Sequence, residues 1–189
     1  MSHRFPALPL DDSSPLGMTF EAEVKKHHGD NPNFKYKDDN GAPIGPFAVL
    51  SYTPDIFQPF MALGDAILNQ PGIGPRAREL AILAVMSVYN VPFVLYAHRR
   101  IAMRLGLSEE QVSSARKGTT PAGITDEEAV IYTTALALAR TRGPLDEQCW
   151  QEAERALGRE KAARLAHVVG VYLYSSTLLN LGAIPAPED

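Results

Sequence analysis

Apolar positions recur at helical spacing along most of the chain, and the densest run, Leu80 to Met86, contains no polar position at all. A run of that kind indicates a helix buried on most of its circumference, not one with a clean wet face. Gly74 and Pro75 open it, because proline at the first helical position loses no useful donor and presets φ. Asn90, Val91 and Pro92 break it, since the residue before a proline is pushed toward extended geometry. A second helix is predicted from about Pro92 to Leu105, stopped by Gly106. On it Val94, His98, Ile101 and Leu105 follow i, i+4, i+7, i+11, so an imidazole falls inside an apolar stripe.

The remaining elements read in the same way. Phe20 and Val24 mark a short amphipathic helix ending near His28, and the turn-rich stretch from Gly29 to Gly45 is a loop. Gly45 and Pro46 open a short apolar segment. Thr53 and Pro54 then start a helix to about Leu68. Ser108 with Gln111 and Thr125 with Glu128 are capping boxes that open helices to about Arg116 and Thr141. Two more helices follow, Asp146 to Leu157 closed by Gly158, and Glu160 to Leu181, whose inward positions are Leu165, Val168 or Val169, Tyr172, Ser176 and Leu179. No stretch alternates convincingly as a strand, so the expected class is all-α, with seven or eight helices in one domain over residues 1–189. Residues 1–15 form an expected extended arm, able to wrap a neighbouring subunit, and residues 183–189 a tail.

Two ionisable residues stand out against this apolar background. In an antiparallel hairpin turning near Asn90, Glu79 lies about 16 Å before the turn and His98 about 12 Å after it, at about 1.5 Å per residue. A carboxylate and an imidazole at similar heights, facing each other or a shared apolar pocket, suit proton transfer. The plainer alternatives are a glutamate serving the helix dipole or pairing with Arg76 or Arg78, and a core histidine bonded to a carbonyl. His27 and His28 are adjacent and point to different faces, and no acidic or histidine partner is expected at ligand spacing in their turn, so no metal site is expected. His167, between Ala166 and Val168, reads as core or interface.

Composition narrows the function classes. At 189 residues with a net charge of −4 and scattered basic residues, the chain offers no electrostatic footprint for nucleic acid or an anionic membrane. The single cysteine, Cys149, excludes an internal disulfide framework and a cysteine-pair metal or redox site within one chain. No run of eighteen apolar residues occurs, and the N-terminus lacks a signal-peptide core, so a soluble, cytoplasmic protein is expected.

The string PRARELAILAV, with a second helix ending AHRRIAMRLGLSEEQV, resembles the carboxymuconolactone decarboxylase and alkyl hydroperoxidase D superfamily. Upstream, GPFAVLSYTPDIFQPFMALGDAI is similar to that family's Gly-Pro-Phe segment and following helix; downstream, VVGVYLYSSTLLNLGAIP is similar to its closing helix. The resemblance implies a helical bundle of the alkyl hydroperoxidase D-like type, and homo-oligomers, commonly trimers or hexamers. In the hydroperoxidase branch two cysteines precede the histidine, and here those positions are Val91 and Val94, which leaves no thiolate nucleophile or resolving thiol for disulfide-based peroxidase chemistry. What remains resembles the decarboxylase branch, in which a glutamate and a histidine handle protons without a cofactor. By that analogy Glu79 and His98 are the catalytic pair, and Val91, Val94, Tyr96 and Arg78 line the substrate, with Arg76, Arg99 and Arg100 as further candidates for gripping an acidic group. The expected reaction is decarboxylation or isomerisation of an unsaturated lactone or keto acid, larger and more apolar than carboxymuconolactone. The alternative is a non-catalytic oligomer that binds an apolar metabolite.

Overall fold

The computed structural model describes residues 4–6 and 8–188, so Met1 to His3 and Ala7 of the expected arm, and Asp189 of the tail, lie outside the described residues. Among the described residues eight helices follow one another: α1 Pro15–His28, α2 Pro46–Leu50, α3 Pro54–Leu68, α4 Pro75–Tyr89, α5 Pro92–Arg104, α6 Glu109–Arg116, α7 Asp126–Arg140 and α8 Glu147–Gly182. Among the described residues the only extended pairing is an isolated bridge between Lys37 and Pro43, so the all-α expectation holds. The contacts divide the chain into two compact units interleaved in sequence, one comprising the chain up to Asn69, Val91–Ala97 and the part from Ser175 on, the other Gln70–Asn90 and His98–Tyr174.

In the first unit α1 and α2 both pack on α3. Ser14 caps α1 by accepting the Gly17 N–H at 3.0 Å, with Pro15 in the first turn where its missing donor costs nothing. The buried cluster is Phe20, Val24, Leu50 and Phe57, and the Phe20 ring meets Phe47 and Phe57 edge-on at 4.8 and 5.9 Å, the arrangement favoured by ring quadrupoles. The described part of the arm lies on its own chain: Arg4 donates to the Leu181 carbonyl at 3.0 Å, the Tyr52 hydroxyl donates to the Pro6 carbonyl at 2.6 Å, and Phe5 packs on the Tyr52 ring. The loop after α1 is pinned by Asp38, whose carboxylate accepts the N–H groups of Asn40 and Ala42 at 2.9 Å each. At its end Gly45 has φ of 69°, and a Cβ there would sit 2.3 Å from the Phe93 ring, so only glycine suits the turn and the close approach.

The second unit is centred on α4, which packs on α7 and α6. Leu80 to Val85 are all 0% exposed, as the unbroken apolar run requires. Both capping boxes form, Ser108 with Gln111 and Thr125 with Glu128. The Tyr132 hydroxyl, carried inside by α7, donates to the Ala115 carbonyl at 2.8 Å. α8 comprises the two last expected helices, separated at Gly158, whose φ of 72° and ψ of 164° are not helical. His167 is exposed, which overturns the core half of the core-or-interface reading: Val168 beside it is buried, but adjacent helical positions point about 100° apart, so an apolar neighbour does not place a residue on the buried face.

Candidate functional site

Glu79 stands in the second turn of α4 between Ala77 and Leu80, both buried, and is itself 2% exposed. A carboxylate hidden to that degree needs a partner, because leaving it unbonded out of water is costly. His98 supplies one: its Nδ1 lies 2.7 Å from Glu79 Oε2, although the two residues are nineteen positions apart. The turn that permits this begins at Asn90, which caps α4 in the left-handed conformation at φ 34°, ψ 62°, a geometry asparagine tolerates better than most residues.

The imidazole is held from its other side as well. The Tyr172 hydroxyl of α8 lies 3.0 Å from His98 Nε2, and the two rings meet edge to face, 5.0 Å apart at 84°. A carboxylate can only accept, so the proton between Glu79 and His98 belongs to Nδ1; Nε2 of the neutral ring then accepts from the Tyr172 hydroxyl. Three side chains from three helices thus form one chain of hydrogen bonds, Glu79 to His98 to Tyr172. Burial pushes the Tyr172 hydroxyl far above the usual phenol range, the Glu79 charge pushes it further, and the Arg78 guanidinium opposes both. Tyr172 is therefore held as a neutral donor.

Of the residues expected from the sequence, the structure brings together Glu79 and His98 and sets the charge of Arg78 close enough to act on the Tyr172 hydroxyl. Val91 and Val94 are buried and Tyr96 is partly buried; all three belong to the other compact unit, where the Tyr96 hydroxyl accepts the Lys35 N–H at 3.1 Å. Arg76 pairs with Glu128 and Arg99 makes a two-pronged contact with Glu109, so Glu79 is not Arg76's surface partner. Tyr172 was not among the expected site residues. Its only signal was a phenol on the inward face of the closing helix, seventy-four positions from the imidazole it meets.

Cys149 is partly buried, and burial with the nearby Glu152 and Asp146 pushes its thiol up, away from the thiolate that redox chemistry needs. The expectation of no acidic partner for His27 is corrected. Glu23, one turn earlier on α1, places Oε2 3.2 Å from His27 Nε2, and Asp65 of α3 places Oδ1 at 2.8 Å.

The sequence model of the carboxymuconolactone decarboxylase family matches residues 54–141, a stretch that contains both Glu79 and His98. Over that stretch the chain resembles the carboxymuconolactone decarboxylase family. It lacks the cysteine pair of the hydroperoxidase branch, having one cysteine in all. The fold is similar to that of the debrominase Bmp8, in the apo form and as a variant in complex with 2,3,4-tribromopyrrole. Each is 17% identical with a TM-score of 0.77, covering 99% of this chain and 94% or 93% of that one. It is also similar to an alkylhydroperoxidase AhpD core, an uncharacterized peroxidase-related protein from Ralstonia eutropha JMP134, at 18% identity and a TM-score of 0.75 over 98% of this chain and 93% of that one. A comparison with curated proteins found no match. Among the described residues no helix is long and apolar enough to cross a membrane.

Proposed function

We propose that this protein is a cofactor-free proton-transfer enzyme, a decarboxylase or isomerase acting on an unsaturated lactone or keto acid more apolar than carboxymuconolactone. The observation that carries this reading is the hydrogen-bonded chain Glu79, His98, Tyr172. Glu79 fixes the imidazole and balances its charge when it becomes imidazolium, and Tyr172 is the member through which protons reach substrate. In the basic form the Tyr172 oxygen takes a proton from a carbon next to a carbonyl while its own proton passes to His98 Nε2. In the acidic form the imidazolium returns a proton to the Tyr172 oxygen as the phenol protonates the enolate carbon. Isomerisation uses both steps in turn. Decarboxylation uses the second: the carbon–carboxylate bond breaks, its electron pair remains as a delocalised enolate, and that enolate receives the proton, with His98 recharged from water.

The substrate class rests on the apolar lining that the family resemblance implies. Apolar walls disfavour a carboxylate that must be lost and favour charge spread over a conjugated system. A similarly folded debrominase in complex with 2,3,4-tribromopyrrole accords with a planar, conjugated ligand. Homo-oligomers, by family resemblance, and a cytoplasmic location, by the sequence expectation, belong to the same proposal.

The test is a panel of lactones and β-keto acids incubated with the protein in D2O, with carbon dioxide release and deuterium incorporation followed by NMR. The reading expects turnover that depends on ionisation and collapses in Glu79→Gln and His98→Ala while circular dichroism shows the fold intact. Full activity in both variants on an identified substrate would show the chemistry to be wrongly assigned.

A further inference from the structure

We propose that Glu23, His27 and Asp65 form a divalent-metal site that joins α1 to α3, separate in residues and in chemistry from the proton relay. Glu23 and His27 are four apart on α1, the spacing that sets two side chains one above the other on a helix face. Asp65 comes from the last turn of α3, the helix on which α1 packs. One ligand atom from each of the three residues lies within 4.8 Å of the other two. His27 Nε2 is 3.2 Å from Glu23 Oε2 and 2.8 Å from Asp65 Oδ1. A tetrahedral ion bound at about 2.1 Å holds its ligands roughly 3.4 Å apart, so little movement is needed to admit one.

The donor set states which ion fits. One imidazole nitrogen and two carboxylate oxygens suit zinc or manganese(II) and leave at least one position for water, whereas a soft ion such as copper(I) would want sulfur. His27 and Glu23 have side chains only 12% and 22% exposed, and the His27 Nε2–H that faces the two carboxylates donates to them, a proton that a bound cation would replace. The surroundings orient the third ligand: Asn69 donates to Asp65 Oδ1 at 2.7 Å, as outer partners do for metal-bound carboxylates. Lys26 pairs with that same oxygen at 2.5 Å and is the natural competitor. Its side chain is 49% exposed, so a divalent ion can displace it into water. With Lys26 and the His27 proton in place the cluster is an ion-pair network, and with a metal it becomes a clamp between the two helices; the measurement below separates these.

The whole protein, stripped with EDTA and dialysed, is titrated with zinc and then with manganese(II) by calorimetry at neutral pH in a non-coordinating buffer. One equivalent of saturable zinc binding is expected, with a rise in melting temperature. Glu23→Gln, His27→Ala and Asp65→Asn should each weaken it about tenfold or more, the range seen when a ligand or its support is lost. His167→Ala, at an exposed histidine far from the cluster in sequence, should leave it unchanged. X-ray absorption on the zinc form should show nitrogen and oxygen ligands only. The proposal fails if no saturable binding occurs, if binding survives in Glu23→Gln and Asp65→Asn, or if His167→Ala removes it. None of these outcomes bears on the relay, whose residues are untouched.

Discussion

The Tyr172 hydroxyl sits 3.0 Å from His98 Nε2, the ring nitrogen that Glu79 leaves free, so the imidazole has a defined partner on both sides. That arrangement fixes the tautomer before any substrate arrives. Tyr172→Phe keeps the ring that packs edge-on against His98 and removes only the hydroxyl. Turnover on an identified substrate should fall by about 10²–10³, the usual contribution of a positioned proton-transfer group. Nitrogen-15 NMR of the His98 ring should show the Nδ1–H form in the native protein and a mixture in Tyr172→Phe. A variant with native turnover and an unchanged ring spectrum would remove Tyr172 from the mechanism.

Glu79→Gln tests the other end of the chain. The amide can still accept from Nδ1–H through its oxygen, so folding should survive, but it carries no charge to balance an imidazolium. The loss should appear in kcat more than in KM, because the missing interaction strengthens only as His98 gains its proton. His98→Ala is the harsher change, since it strands a carboxylate that is 2% exposed. It should destabilise the fold by about 2–3 kcal/mol, the range for removing the partner of a buried charged acceptor, read from urea midpoints.

Those residues also mark how far the sequence could be read. Caps and breaks are local chemistry, so Thr53 with Pro54, the two capping boxes, and the Asn90 to Pro92 break placed α3 to α7 within a residue or two of where they fold. Glu79 and His98 were legible because one turn links them and their distances from it match. Tyr172 was not, because its contact crosses seventy-four positions and nothing in helical periodicity says which inward residues of two distant helices will meet. The His27 cluster was half legible: the Glu23 spacing is local, while Asp65 arrives only when α1 packs on α3. His167 misled because adjacent residues were used to define a face that only positions three and four apart define.

Tyr132 predicts the alkaline limit of stability. Burial pushes its hydroxyl from 10.0 to about 12, with Arg140 opposing weakly. The unfolded chain loses this proton near pH 10 and the folded chain keeps it longer, so the stabilisation is complete below pH 10 and is lost as pH rises to about 12. Two units correspond to about 2–3 kcal/mol. Urea midpoints at pH 9 and pH 11.5 should differ accordingly. Tyr132→Phe should start lower, because the Ala115 carbonyl loses its donor, and should show a shallower alkaline fall. An equal slope in the two proteins would assign the alkaline transition to other groups.

Gly45→Ala brings two separate penalties together at the turn before α2. With φ at 69°, any Cβ places the residue in a strained region, and this one would stand 2.3 Å from the Phe93 ring. Backbone strain and overpacking each cost about 1–3 kcal/mol, so the variant should lose about 2–6 kcal/mol in urea denaturation. Phe93→Leu on its own should cost less, and in combination with Gly45→Ala it should recover the steric part only, because removing the ring does nothing for the dihedral. The double-mutant cycle therefore separates the two terms, with a favourable coupling of about 1–3 kcal/mol expected between residues in contact. Strict additivity would mean that the ring moves aside without cost and that the dihedral alone demands glycine at this position.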